Sequence, residues 1–444
     1  MYIDFLIKTF KENKRKTAII FKENEYSYEW LLDNYNRWTR YINKKSIERN
    51  SVVALKADFN PDAICLLLAL IENSCILVPI SSVVKNLQKY LDIAEVNYFV
   101  NLNNEEPILK NINIKVKHKL LLELIKNRKN PGLILFSSGT TGEPKAALHD
   151  IVSLLQKFKV KRKTLRTITF LLFDHIGGFN TLFYILSNAG TIATLQDRSP
   201  EETCKIIAKH KVELLPTSPT FLNMILFSRA YQKYDISCLK LITYGTEPMP
   251  ETTLKELNRI LPNVKLKQTY GLSELGIMRS KSEKSDSLWV KVGGEDYKTK
   301  IIDGKLWIKA KTAMLGYLNA PSPFTKDGWF NTGDKVEVKG EYIKFLGRES
   351  EIINVGGQKV YPTEVESVLL EIDGVKDVIV HGEKNQLMGE IVVANVKVNK
   401  RNNNKKYISL MKKYCRGKLE KYKIPIKINL TQKDLNSLRF KRIR

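Results

Sequence analysis

Cysteine and histidine are scarce in this chain of 444 residues, at five each. The cysteines (Cys65, Cys75, Cys204, Cys238, Cys415) are odd in number, scattered and free of Cys-x-x-Cys spacing, and no histidines pair at helical spacing. Neither a disulfide frame nor a zinc site is therefore expected. Glycine (23) and proline (15) are too sparse for a collagen-like or disordered chain. Long hydrophobic runs are missing too. The longest, Ala63 to Ile71, stops at Glu72, well short of the ~20 residues that cross a bilayer. The start, Met1-Tyr-Ile-Asp-Phe, lacks the basic and apolar regions of a secretory signal, so the expected location is cytoplasmic.

Acidic residues are also in deficit, 47 against 73 Lys and Arg, for a net charge of +26. More than half of that excess lies from Lys400 to Arg444, where sixteen Lys or Arg face only Glu420 and Asp434. Such a field draws nucleic acid, anionic lipid, nucleotides or acidic proteins without selecting among them, and a solvated lysine-rich surface is the plainer reading.

What the chain does contain is apolar patterning, 43% hydrophobic, enough for two to four domains. Ser27 opens an amphipathic helix. Ser51 to Leu55 reads as a strand, Pro61 to Asn73 as a helix and Cys75 to Val78 as a strand, a βαβ order that implies a parallel sheet covered by helices. A second α/β series follows: strand Ile168 to Phe173, helix Phe179 to Asn188, strand Thr191 to Thr194, helix Pro200 to His210 and strand Glu213 to Leu215. After Leu288 short alternating strands meet Asp-Gly and Lys-Gly turns. A fresh α+β unit begins near Glu351, with strands around Gly356-Gly357, a helix after Pro362, strands Val375 to Val380 and Ile391 to Val398, and a helix near Leu410 to Leu419. The expected fold class is α/β. Residues 1–348 form a large domain of parallel-sheet α/β subdomains plus a β-rich subdomain, and residues 349–444 form a small, mobile α+β domain.

Chemistry concentrates in a few segments. Leu133 to Lys145 runs an apolar strand into Ser138-Gly-Thr-Thr-Gly-Glu-Pro-Lys145. Glycines there turn backbone N–H groups inward, hydroxyls add donors and lysine adds charge, which suits a polyphosphate. The Walker Gly-Lys-Ser/Thr is absent, and such a loop also serves as a flexible connector. In Thr269-Tyr-Gly-Leu-Ser-Glu-Leu-Gly276, a tyrosine can stack on a purine and a glutamate can hold magnesium; alone, the segment reads equally as a strand-to-helix turn capped by Ser273. Gly328-Trp-Phe-Asn-Thr-Gly-Asp334 places an Asp in a tight turn, and Gly347-Arg-Glu-Ser350 leads into Gly356-Gly357 at the boundary found from patterning.

In their order along the chain these motifs resemble those of the adenylate-forming superfamily, which includes acyl-CoA synthetases, peptide-synthetase adenylation domains and beetle luciferases, with the stand-alone acyl-CoA ligases most similar. The resemblance implies ATP, Mg²⁺ and CoA as reactants and cofactors. It implies an ATP loop of Ser138, Gly139, Thr140, Thr141, Gly142 and Lys145, and Tyr270 and Gly271 beside adenine. Ser273 then contacts phosphate, Glu274 binds the metal, and Asp334 and Arg348 take the ribose. A hinge falls at Ser350, where the family usually has Asp or Lys. Gly356 and Gly357 line the thiol path. Lys441 is the terminal lysine that steadies carboxylate and α-phosphate, although Phe440 replaces the usual glycine and Arg439, Arg442 and Arg444 stand nearby. His175, Gly245 and Thr246 fall at the substrate pocket. Asp174 fits a site for a substrate amine if it faces that pocket, or a surface turn if it does not.

The expected reaction is ATP-dependent activation of a carboxylic acid to an acyl-adenylate with release of pyrophosphate, then transfer to a thiol. CoA is the expected acceptor. A ligase loading an acidic acyl carrier protein is the alternative, motivated by the basic tail. A nucleic-acid or membrane-surface binder is remote, because the tail's charges interleave with apolar residues at folded-element spacing.

Overall fold

The computed structural model describes residues 1–103, 107–112, 119–138, 143–398 and 404–435. Two seven-stranded sheets with a helical layer between them form the bulk of the molecule. In the first sheet the order is Lys265–Gln268, Leu241–Tyr244, Leu214–Thr217, Thr167–Ile168, Ile192–Ala193, Thr17–Phe21 and Asn24–Ser27, parallel except for the last pair. The second is built on the parallel strands Ile76–Ile80, Val52–Lys56 and Tyr98–Asn101, with Gly132–Ser138 parallel to Ile76–Ile80 and the hairpin partner Pro144–Asp150 beyond it.

Period-2 alternation explains how each sheet is sandwiched. Val53 and Leu55 face the central helices, whereas Val52 and Ala54 face the outer layer with Leu91 and Ile125. Helix Pro61–Glu72 lies in the central layer and is buried from Ala63 through Ile71, as its all-round apolar sequence demands. Asn60 caps it by accepting from Ala63 N at 2.7 Å, and Pro61 sits in the first turn, where no N–H is needed. Ser27 likewise caps helix Tyr28–Lys44, accepting from Trp30 N at 3.1 Å.

A six-stranded antiparallel sheet follows, from Arg279–Ser282 to Tyr342–Arg348. The last sheet has its own core, from Ile353 through Met411 to Ile428. Helix Pro362–Leu370 packs against helix Glu251–Ile260, and Asn223 Nδ2 donates to the Lys376 carbonyl at 3.2 Å. Two elements of the basic tail belong to this core: Tyr407, Met411 and Cys415 are buried on helix Asn404–Arg416, and Ile428 on strand Lys427–Thr431. The lysines between them form the outward face of a folded unit. Among the described residues, no helix is long and apolar enough to cross a membrane.

Several expectations need correction. The strand expected over Ile168 to Phe173 ends at Ile168. The apolar residues beyond it are buried by packing instead of pairing, Phe170 on Phe221 and Phe173 on Phe59. The helix expected from Leu410 starts at Asn404, because its buried stripe is Tyr407, Met411 and Cys415 while Leu410 is exposed. Asp334 is not in a tight turn but inside strand Phe330–Lys339. Ser273 caps no helix; it lies at the tip of the hairpin formed by Gly271–Leu272 and Gly276–Ile277.

Candidate active site

A cleft of ≈ 250 Å³ opens where strands Leu241–Tyr244 and Lys265–Gln268 end, lined by Gly245, Thr246, Tyr270, Gly271, Asp334 and Arg348. The carboxyl ends of parallel strands are where open α/β sheets bind ligands. Close approach dictates glycine at the floor: a Cβ on Gly245 would stand 2.6 Å from the Thr269 carbonyl oxygen, and one on Gly271 2.8 Å from that of Gly276. Thr246 follows with φ +75°.

On one side the antiparallel pairing of Phe330–Lys339 with Tyr342–Arg348 sets Asp334 opposite Arg348. Arg348 Nε lies 3.5 Å from Asp334 Oδ1, and the Tyr270 hydroxyl donates to Oδ2. The Tyr270 ring stacks on Phe345 at 4.5 Å between centroids and 14° between planes. Burial pushes the Asp334 carboxyl above its ordinary range, with Arg348 and the Tyr270 hydroxyl pulling against it. Tyr270 is itself held well above the usual phenol value by burial and by that carboxylate. The result is a half-lined slot with an aromatic face and a carboxylate at its edge, suited to a nucleoside.

A second constellation, whose residues are not among those lining that cleft, centres on Tyr317. Its hydroxyl donates to Glu274 Oε1, while Lys145 Nζ lies 5.5 Å from its ring centroid. Lys145 comes from strand Pro144–Asp150, opposite Ser137, and Tyr317 from strand Gly316–Tyr317, opposite Ala147. One sheet edge thus carries lysine and tyrosine to the glutamate. The Gly316-Tyr pair falls where the resemblance places it, but no motif gives Tyr317 a role; its contacts with Glu274 and Lys145 are visible only in the structure. His149 is fully buried, and burial pushes its imidazole down to about 4 against the opposing pull of the Ser273 backbone, so it is neutral at physiological pH.

No group of three or more His, Cys, Asp or Glu able to hold a metal exists among the described residues. Glu274, with one oxygen engaged by Tyr317, offers the kind of carboxylate ligand that holds magnesium together with substrate phosphates.

The remaining expected positions are dispersed. Gly139, Thr140, Thr141, Gly142 and Lys441 lie outside the described residues, as do Arg439, Arg442 and Arg444. Ser138 ends strand Gly132–Ser138. Ser350 is exposed in the short helical turn Glu349–Glu351. Gly356 and Gly357, at φ +57° and +86°, border a separate cleft with Leu387 and Met388. His175 caps helix Ile176–Ser187, accepting from Gly177 N at 3.0 Å, and lines neither the cleft above nor the larger cavity beside it. Asp174 is not a surface turn residue. It is buried, with Oδ2 accepting from Ser81 Oγ at 2.8 Å and Ser81 N at 3.2 Å, and it lines neither space.

Residues 7–318 match the AMP-binding enzyme family and residues 364–439 the AMP-binding enzyme C-terminal domain. Acyl-CoA synthetase 7 of Caenorhabditis elegans is 29% identical over 91% of this chain and 82% of its own length. Indoleacetate–CoA ligase of Aromatoleum aromaticum is 25% identical over 85% and 84%. Among solved structures, an anthranilate CoA ligase in complex with anthranoyl-AMP shares the fold, with a TM-score of 0.82 at 18% identity over 100% of this chain and 95% of that one.

Proposed function

The chain belongs to the AMP-binding enzyme family of adenylate-forming ligases, and from that membership we propose that it joins a carboxylic acid to AMP and then passes the acyl group to the thiol of CoA. In the first step a substrate carboxylate oxygen bonds to the α-phosphorus of ATP, the bond from that phosphorus to the bridging oxygen breaks, and pyrophosphate leaves. In the second the thiol sulfur attacks the acyl carbonyl, AMP departs with the anhydride oxygen, and the thiol proton passes to solvent.

One observation carries the reading: a nucleoside slot at Tyr270, Asp334 and Arg348 shares the hairpin segment 270–277 with the charged constellation of Glu274, Tyr317 and Lys145. Two anions must meet in the adenylation step, so preorganised positive charge is the expected device, worth several kcal/mol. Lys145 supplies charge toward the departing phosphates, and Lys441 is assigned to the reacting centre. Tyr317 fixes one oxygen of Glu274 and leaves the other to bind Mg²⁺, which would neutralise phosphate charge when bound. Asp334 accepts the ribose hydroxyls, Arg348 orients Asp334, and the loop Ser138 to Gly142 cradles the phosphates. Residues 1–348 act as the large domain. Residues 349–444 act as a lid turning about Ser350, whose exposure in a short turn supports the hinge. That rotation would bring Gly356 and Gly357 from their separate cleft to the thiol path.

The test is pyrophosphate release with a panel of carboxylic acids, with and without CoA, followed by a thioester assay offering CoA and a holo carrier protein separately at low and moderate salt. Pyrophosphate with an acid, and thioester with CoA, are expected. Absence of pyrophosphate with every acid overturns adenylation. Product with the carrier alone, lost as salt shortens the Debye length below about 10 Å, replaces CoA by an acidic carrier.

A further inference from the structure

A cavity of ≈ 620 Å³ adjoins the nucleotide cleft, and Thr269 lines both. One wall is a single face of the first sheet, carrying Pro216, Thr243 and Lys267 in register across three strands. The opposite face of the same strands, with Leu215, Ile242 and Leu266, is closed into the core. Asn180, Thr181 and Tyr184 of helix Ile176–Ser187 form the facing wall. A substrate whose carboxylate reacted near Thr269 would find room for its remaining atoms in this space.

The charge in it is one-sided. Lys157, Arg162, Lys163, Lys267 and Arg279 border the cavity against two acids, Glu295 and Asp296, and Asp296 pairs with Lys311 at 3.2 Å. Lys157 Nζ donates to the Ile277 carbonyl at 3.0 Å. The Lys267 side-chain ammonium has no hydrogen-bond or ion-pair partner among the described residues; burial and the positive charges of Lys265 and Arg162 push its pKa down. An unpaired ammonium on a half-buried strand is costly unless an anion meets it. Lys267 precedes Thr269 by two residues on the same sheet face, so its Cα lies about 7 Å from that of Thr269.

We propose that Lys267, on the sheet wall of this cavity, is a specificity-determining residue that binds a second anionic group at the far end of the substrate, so that the acid activated is a dicarboxylate or an acid with an equivalent distal anion. The inference rests on the adenylation reading above. Apolar wall atoms accept the connecting chain, Lys267 receives the distal charge, and Arg162 and Lys163 add a positive field at the rim.

The experiment compares octanedioate with octanoate and hexanedioate with hexanoate in pyrophosphate release, and measures their binding by calorimetry, for the full chain and for Lys267→Met and Lys267→Arg. The dicarboxylate of each pair is expected to win by at least tenfold in kcat/KM and in affinity. Lys267→Met should invert the preference, and Lys267→Arg should keep it. Equal binding of mono- and dicarboxylate to the unaltered protein, or a preference untouched by Lys267→Met, overturns the inference while leaving adenylation standing. Selective dicarboxylate binding that depends on Lys267 but yields no pyrophosphate overturns adenylation and keeps the anion site.

Discussion

The Tyr270 hydroxyl donates a hydrogen bond to Asp334, 64 residues further along the chain, and so ties the hairpin 271–277 to the antiparallel sheet. Burial raises the Asp334 carboxyl, while Arg348 and Tyr270 hold it down. If its anion accepts the ribose hydroxyls, ATP affinity falls as pH drops through that raised value. Tyr270→Phe removes one lowering contribution, so the KM for ATP should begin to climb at a higher pH than in the unaltered enzyme. A KM profile from pH 5 to 8 checks this, and coincident profiles would refute it. Asp334→Ala should raise the KM for ATP roughly 10- to 100-fold, the range of a hydrogen bond to a charged group. Normal ATP affinity in that variant removes the ribose assignment.

The same carboxylate makes a stability prediction of opposite sense. A folded-state pKa raised above the unfolded value means that the folded protein is favoured by protonation, and stability declines as pH rises through the interval between the two values. Asp334→Asn, neutral at every pH, should therefore raise Tm at pH 8, with the gain shrinking toward pH 4. Thermal unfolding at both pH values decides it. A gain that grew on acidification would mean that pairing with Arg348 outweighs burial.

Tyr317 touches both Lys145 and Glu274, which makes it a positioning residue. Tyr317→Phe should lower kcat about tenfold with a smaller change in the KM for ATP, and should raise the Mg²⁺ concentration needed for half-maximal rate. An unchanged Mg²⁺ requirement would reduce Tyr317 to core packing.

Gly245→Ala probes the floor of the cleft, where the added methyl would meet the Thr269 carbonyl oxygen at 2.6 Å. The strand end must shift, so adenylation should fall at least tenfold while far-ultraviolet circular dichroism stays that of the native fold. Full activity would show that this floor does not contact the substrate.

If Lys441 is the lysine that serves adenylation, its removal separates two half-reactions. Lys441→Ala should abolish pyrophosphate formation yet still consume a supplied acyl-adenylate with the acceptor thiol. Normal adenylation in this variant, coupled with its loss in Arg439→Ala or Arg442→Ala, moves the role to a neighbouring side chain.

Local chemistry carries a long way in this chain. Helix Pro61–Glu72 is announced by Asn60, Pro61 and an unbroken apolar run, and helix Tyr28–Lys44 by Ser27, because capping and periodicity act within a few residues. The ordered motifs likewise identify the family and point to Tyr270, Glu274, Asp334 and Arg348. Pairing and burial between distant segments do not follow from such patterns. An apolar run reads alike whether it joins a ladder or packs as a loop, and only the partners Phe221 and Phe59 decide the fate of Phe170 and Phe173. Asp174 is a conditional amine site in sequence and a buried partner of Ser81 in space, since a contact across 93 residues leaves no local trace. Tyr317 gains its place between Lys145 and Glu274 from a two-residue strand on a sheet edge. Lys267, whose ammonium has no partner among the described residues, reaches the cavity wall only because three parallel strands align Pro216, Thr243 and Lys267 in register. Composition and motif determine which chemistry is present; sheet register determines which side chains meet to perform it.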